Sequence, residues 1–158
     1  GSELIPLEDE LEVVRQYLNI QEIRFEDRFV CEIDVDERYQ HCIVPKMVLQ
    51  PLVENAIIHG VADLEEGYIK LWAEEDGGDL LLRVSDNGRG IAPEVLDRLA
   101  RHEDIPGGHL GLNNVDRIIR LYYGEGYGLT AESGDTGSRV TLRLPMMKGD
   151  SHAKGTDR

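Results

Sequence analysis

Three short segments of this sequence combine residue types and spacings that could hold a phosphorylated ligand. The first is Leu49-Gln50-Pro51-Leu52-Val53-Glu54-Asn55-Ala56-Ile57-Ile58-His59-Gly60. At about 100° per residue, Leu49, Leu52, Val53, Ala56 and Ile57 share one apolar arc of a helix. Asn55 and His59, four apart, sit together at the edge of that arc, and Glu54 lies a full step away on its other flank. The second segment, Ser85-Asp86-Asn87-Gly88-Arg89-Gly90-Ile91, follows an apolar strand. Gly88 and Gly90 let the backbone turn sharply and approach a ligand without a Cβ in the way, while an ionised Asp86 can accept a hydrogen bond from an exocyclic amine. The third, Gly107-Gly108-His109-Leu110-Gly111-Leu112-Asn113-Asn114, runs into a helix whose first N–H groups and positive dipole end suit phosphate. It lacks the Lys-Ser/Thr ending of a P-loop, which excludes that motif.

Each segment also has an ordinary reading. The first could be a partly exposed helix with an incidental Asn, the second an Asx-turn, the third a flexible loop ahead of an Asn-rich first turn. Taken in this order, however, an Asn-bearing helix, a DxGxG strand end and a glycine-rich lid make a nucleotide site from three separate elements.

The elements that must position them follow from periodicity. Leu7, Leu11, Val14, Leu18 and Phe25 mark a helix over residues 7–25 with a narrow apolar seam, which could pair with another helix. Residues 29–35 alternate as a strand, and 46–60 read as a helix with Pro51 tolerated in its first turn. Strands at 68–75 and 79–86 are joined by Asp76-Gly77-Gly78. Pro93 opens a short helix, Gly111 to Tyr123 forms another closed by Gly124, and strands at 129–133 and 138–144 are joined by a Gly-Asp-Thr-Gly turn. Helices mixed with hairpins predict an α+β fold, a two-layer α/β sandwich with helices on one face of a mixed, mostly antiparallel sheet. A doubly wound fold is excluded because hairpins replace most helical crossovers.

The 158 residues suit one domain, and 41% hydrophobic residues suffice for a sizeable core. A net charge of −14 argues against nucleic acid, which needs a basic stripe. No run approaches the roughly 20 apolar residues of a membrane span. Cys31 and Cys42 are too few for a disulfide framework, which fits a reducing, cytoplasmic setting. Gly1-Ser2 reads as a cleavage scar, and residues 147–158 as a loose, disordered polar tail.

Together these motifs resemble the GHKL ATPases: LQPLVENAIIHG their N box, VSDNGRGI their G1 box and GHLGLNNVDRIIRLYYG their G2 box. More closely, the run over about residues 5–146 is similar to sensor histidine kinases of the LytS/YesM-like branch of two-component systems. LEDELEVVRQYLNIQEIRFEDRF matches the segment leading out of the dimerisation helices, and YGEGYGLTAESGDTGSRVTLRLP the usual ending. The division implied is 3–26 as the end of a dimerisation helix and linker, and 27–146 as an ATP-binding catalytic domain of the GHKL type.

The resemblance implies roles residue by residue. Asp86 would bind the adenine amine, with Gly88 and Gly90 permitting the close turn and Ile91 beginning an ATP lid that ends at Leu110. Asn55 would be the Mg²⁺ ligand, with His59 a phosphate contact. Gly108, Gly111 and the start of the following helix, His109, Leu110 and Leu112 included, would hold the β- and γ-phosphates. Asn55 and Glu54 are the candidate catalytic residues, Glu54 being the nearest carboxylate although its helix position points it to the other flank. Three positions depart from the family pattern: Pro51 in place of Glu or Asn, Ile58 in place of a basic residue, and His109 where glycine is frequent.

The implied activity is transfer of the ATP γ-phosphoryl group to a histidine on a dimerisation domain upstream of residue 1, for relay to a response regulator. None of His41, His59, His102, His109 and His152 has an acceptor context, and His41 and His102 read as surface residues. The whole protein would be a membrane-anchored homodimer of a bacterial inner or plasma membrane with this domain in the cytoplasm, and the fragment a monomer or weak dimer. The alternatives are a serine-directed anti-sigma-factor kinase and a nucleotide-free GHKL pseudokinase serving as a protein-interaction module, which Pro51, Ile58 and His109 would favour.

Overall fold

The structure, a computed structural model, describes residues 3–105, 107 and 109–149, with Leu110 described by its backbone. Gly1-Ser2, Gly108, His152 and the tail from residue 150 lie outside the described residues. The chain opens with β1 (Leu4–Pro6) and α1 (Leu7–Arg24), followed by β2 (Phe29–Asp34) and β3 (Ile43–Pro45). Next come α2 (Gln50–Asn55), a π-helical turn (Ala56–Val61), β4 (Gly67–Asp76) and β5 (Asp79–Asp86). The rest is α3 (Pro93–Ala100), α4 (Leu110–Tyr123), β6 (Gly128–Gly134) and β7 (Gly137–Pro145).

Five strands form one sheet in the order β2-β4-β5-β7-β6, with only the β2–β4 pair parallel. α2 and the π turn supply the long connection that a parallel pair requires. Ile69, Leu71, Leu80, Leu82, Val84, Leu129, Val140, Leu142 and Leu144 alternate onto the buried face, where Leu52, Val53, Leu112 and Ile119 of α2 and α4 cover them. The other face is polar, with Lys70 and Arg139 both over the Trp72 ring. Helices on one face of a mixed, mostly antiparallel sheet is the architecture expected.

α1 forms because three acidic residues in its first turn, Glu8, Asp9 and Glu10, complement the helix dipole and a heptad-like seam gives it a face to bury. That seam is used inside this chain: Leu7, Leu11 and Val14 are fully buried and Leu18 nearly so. The seam that could have paired with another helix is therefore occupied by the domain's own core. Val13, Ile20 and Ile23 remain exposed on the opposite side.

Two expectations are corrected and one pair of elements is new. The helix of 46–60 starts at Gln50, because the amides of Met47, Val48 and Leu49 bond to the Glu10 carboxylate, and beyond Asn55 it widens into the π turn. The strands β1 and β3 pair as a separate two-stranded sheet that no periodicity announced, each being three residues long. The tail begins later than residue 147, since Met147 accepts a hydrogen bond from Ile43 and the Gly149 amide donates to His41.

Candidate functional site

Asp86 ends β5 on the same face as the core residues Leu82 and Val84. The alternation that buries an apolar column thus carries a carboxylate, 9% exposed, under the helical layer. Its Oδ1 accepts the Gly88 amide at 2.8 Å and its Oδ2 accepts the Ser138 hydroxyl at 2.8 Å. The Asx-turn anticipated as the ordinary reading is therefore present, and the carboxylate retains lone pairs beyond these two bonds. Ser138 is a site residue that sequence reasoning missed. Its signal lay in the ladder, where it is the direct partner of Asp86 across β7.

Close approach of two backbones sets the rest. A Cβ at Gly60 would stand 2.7 Å from the Asp86 carboxyl carbon, and one at Gly88 would stand 2.2 Å from the Gly60 carbonyl oxygen. Only glycine at both positions lets the π turn after α2 lie directly on the strand end. Gly60 was read as the end of a helical pattern, and this contact is its reason.

The loop beyond is pinned at several points. The Asn87 side chain accepts from the Tyr68 amide and donates to the Glu66 carbonyl. Arg89 Nε donates to the His59 carbonyl oxygen, and the Ile91 amide donates to Ser133 Oγ at 2.6 Å. Gly90 sits at φ +83° with Ser133 Oγ 2.6 Å from where a Cβ would be, so it too has no room for a side chain.

On the α2 side, Asn55 is buried at 8% exposure, deeper than the rim position its helical angle suggested. Its Oδ1 lies 3.1 Å from His109 Nδ1, which fits the tautomer carrying its proton on that nitrogen. The His109 ring stacks on His59 with centroids 4.0 Å apart and planes 26° apart. Burial, reinforced by the neighbouring His59, lowers the His109 pKa from its ordinary value and favours the neutral ring.

Pro51, Glu54, Asn55, Ile58, His59, His109, Gly111 and Leu112 line a small cavity of about 30 Å³, room for a water or two. Glu54 therefore faces the same cavity as Asn55 and not a separate flank. Both belong to the stripe formed with Pro51, Ile58 and His59, and Tyr17 donates to Glu54 Oε2 at 3.4 Å. Across the His59–His109 pair the space opens into a groove of about 410 Å³ lined by Arg89, Gly90, Ile91, Pro93 and Val95. The two imidazoles form the wall between these spaces.

The segment between Ile91 and Leu110 carries α3 and is docked at its far end. His102, at φ +57°, places Nδ1 2.8 Å from Asp116 Oδ2, and the same buried carboxylate accepts the Leu129 amide. His102 is an exposed residue, as His41 is and as expected of both, but its ring also tethers this segment to the buried Asp116. Gly108 lies outside the described residues, Leu110 begins α4, and Gly111 brings the start of α4 against Pro51, where a Cβ would be 3.3 Å from the proline's.

Among the described residues no group of three or more His, Cys, Asp or Glu could hold a metal ion. The Asn55 amide oxygen beside Glu54 fits Mg²⁺, which takes hard oxygen ligands and commonly only one or two from protein beside substrate phosphates.

Comparison with known proteins matches residues 43–148 to the family described as histidine kinase-, DNA gyrase B-, and HSP90-like ATPase, and residues 1–29 to the histidine kinase family. Sensor histidine kinase YpdA of Escherichia coli (strain K12) is 35% identical over 92% of this chain, which spans 25% of that protein. Sensor histidine kinase YesM of Bacillus subtilis (strain 168) is 34% identical over 90% of the chain, which spans 24% of it. The chain thus covers about a quarter of each relative. The catalytic domain of histidine kinase ThkA, in a nucleotide-free form, superposes with a TM-score of 0.71 at 19% identity, covering 94% of this chain and 99% of that one. ThkA in complex with the response regulator protein TrrA gives 0.69 at 20% identity, over 92% of this chain and 42% of that one.

Proposed function

The chain belongs to the histidine kinase-, DNA gyrase B- and HSP90-like ATPase family, and from that premise we propose that it is the ATP-binding catalytic domain of a two-component sensor histidine kinase. The observation that carries this reading is the Gly60–Gly88 backbone contact, which seats the turn that follows Asn55 directly on the strand end that carries Asp86, with both side chains buried. A buried carboxylate with spare lone pairs suits the amine edge of a purine, and a buried amide oxygen on the facing helix suits the metal-bound phosphate end.

In this reading Asp86, oriented by Ser138 and the Gly88 amide, takes the adenine. Gly90 and Ile91 shape the groove under the lid. Gly111 and the amides of His109 and Leu110 at the start of α4 would hold the phosphates, together with Gly108 as the family pattern implies, whereas the Leu112 amide donates to the His109 carbonyl. Asn55 holds Mg²⁺, His59 lies at the phosphates, and Glu54 is the carboxylate available in the same cavity. The metal, when bound, neutralises charge on the phosphates, so the protein's task is positioning and exclusion of water. His109 must withdraw from Asn55 before the amide can serve.

The acceptor is a histidine of a dimerisation domain, and a response regulator receives the group from it. ThkA, solved with the response regulator protein TrrA, supports that partnership by analogy of fold. YpdA and YesM, both sensor histidine kinases, support a sensor protein as the setting, and in the proposed reading this domain lies on the cytoplasmic side of the membrane. Among the described residues no helix is long and apolar enough to cross a membrane.

Thermal melting with Mg-ATP tests the proposal. At about 100 times its dissociation constant, the ligand stabilises by about 2.7 kcal/mol, a rise of several degrees. Asp86→Asn and Asn55→Ala should each abolish or sharply reduce the rise. No rise with the unaltered chain overturns the proposal in favour of an interaction module.

A further inference from the structure

α2 has no side-chain cap of its own, and its preceding amides are satisfied from another helix. Glu10 of α1, only 2% exposed, accepts from Met47 N at 3.0 Å through Oε2 and from Val48 N and Leu49 N at 2.9 and 3.1 Å through Oε1. A carboxylate saturated by three amides at a helix start is held by charge-assisted hydrogen bonds and by the helix dipole. Glutamine could not replace it, because its NH₂ group would face N–H donors. Met47, at φ +68°, bends the chain so that consecutive amides converge on the one carboxylate.

The helix so gripped is short, and Asn55 is its last α-helical residue. A displacement at residues 47–49 therefore reaches Asn55 with little backbone in between to absorb it. Two turns after Glu10 on the same face of α1, Tyr17 donates to Glu54, another polar group of the cavity. Burial, then Glu54 itself, pushes the Tyr17 hydroxyl up to about 12, so it remains a donor. Glu10 lies in the segment matched to the histidine kinase family and its three amides in the segment matched to the ATPase family. The carboxylate is thus a direct joint between the two.

We propose that Glu10 is a positioning residue of the nucleotide site, acting through α2 to set where Asn55 presents its oxygen, so that movement of α1 alters Mg-nucleotide affinity. This rests on the reading of the site as an ATP site.

The test compares Glu10→Gln with Leu129→Ala, a buried substitution on β6 remote from α1, at matched loss of melting temperature. Calorimetry with ADP should show Glu10→Gln weakening binding about ten-fold in Mg²⁺, as loss of a ligand's supporting partner does, but leaving metal-free affinity unchanged. Leu129→Ala should change neither. Equal losses with and without Mg²⁺, or no loss, overturn the proposal. If Glu10→Gln does not fold, amide exchange on the unaltered chain decides, because coupling is reciprocal. Mg-ADP should then protect Met47, Val48 and Leu49 beyond the protection gained by the Leu129 amide, and equal protection overturns the proposal. If the unaltered chain binds no nucleotide, the ATP reading fails by itself, and the Asn55 side-chain amide resonance in Glu10→Gln still reports: a shift upholds the positioning link, and an unmoved signal ends it.

Discussion

The Nδ1 of His109 rests 3.1 Å from Oδ1 of Asn55, the buried amide oxygen at the end of α2. In the proposed ATP reading the lid end of the site thus occupies the metal position, with His59 stacked behind to hold the ring. A hydrogen bond of this kind is worth about 0.5–1.5 kcal/mol net, and that must be given up before the amide can turn to a ligand. His109→Ala should therefore bind Mg-ATP about 2- to 10-fold more tightly, measured by calorimetry. Weaker binding would show that the imidazole's contact with phosphate outweighs its competition for Asn55.

The same ring sets a pH dependence in the nucleotide-free chain. The folded state lowers the His109 pKa below its ordinary 6.5, through burial first and His59 second. As pH falls through that value the unfolded chain takes up the proton before the folded chain does, so stability rises with pH across the window. The contribution is fully present above 6.5 and is lost as pH falls towards the lower folded value. Urea unfolding between pH 7.5 and 5 should show this fall, and His109→Phe, which keeps a stacked ring without a titrating nitrogen, should flatten it.

How far the sequence revealed this arrangement depends on the range of each interaction. The strand 79–86 was legible to the residue because period-two burial is local, and α4 was legible to its last residue, where Gly124 closes it at φ +104°, although it starts at Leu110, one residue before the expected Gly111. Asp86, Gly88 and Asn55 were legible because their types are unusual in an apolar strand end and a helix. Ser138 and Gly60 were not, since their roles arise from ladder register and from contact with a strand distant in sequence. Glu10 was hidden for a related reason: it stands among Glu8, Asp9 and Glu12, and only the tertiary contact separates a buried carboxylate from solvated ones.

Glycine 88 offers a sharper stability test. Its missing Cβ would meet the Gly60 carbonyl oxygen at 2.2 Å and the carbonyl carbon at 2.4 Å, both backbone atoms that cannot rotate away. Gly88→Ala should cost about 3 kcal/mol or more by denaturant unfolding, the range of severe overpacking. Gly78→Ala, in the β4–β5 turn with open space around it, should stay within about 0.5 kcal/mol. Similar losses at the two positions would show that the π turn does not lie against the strand end.

Asp116 decides how firmly the far end of the lid is held. Buried at 5% exposure, it joins three elements: its own α4, the Leu129 amide of β6 at 2.9 Å, and His102 at 2.8 Å. Asp116→Ala strands a buried amide and should cost about 2–3 kcal/mol. His102→Ala leaves that amide bonded and removes only the tether, so the global loss should be under about 1 kcal/mol. The local effect should be larger than the global one. The Glu103 amide, which donates to the Arg98 carbonyl in the turn that His102 closes, should exchange faster in His102→Ala while Leu129 keeps its protection. Undiminished protection at Glu103 would mean that the ion pair of Arg117 with Asp104 and the Arg98 contact to the Asp104 carbonyl hold the lid end without the histidine.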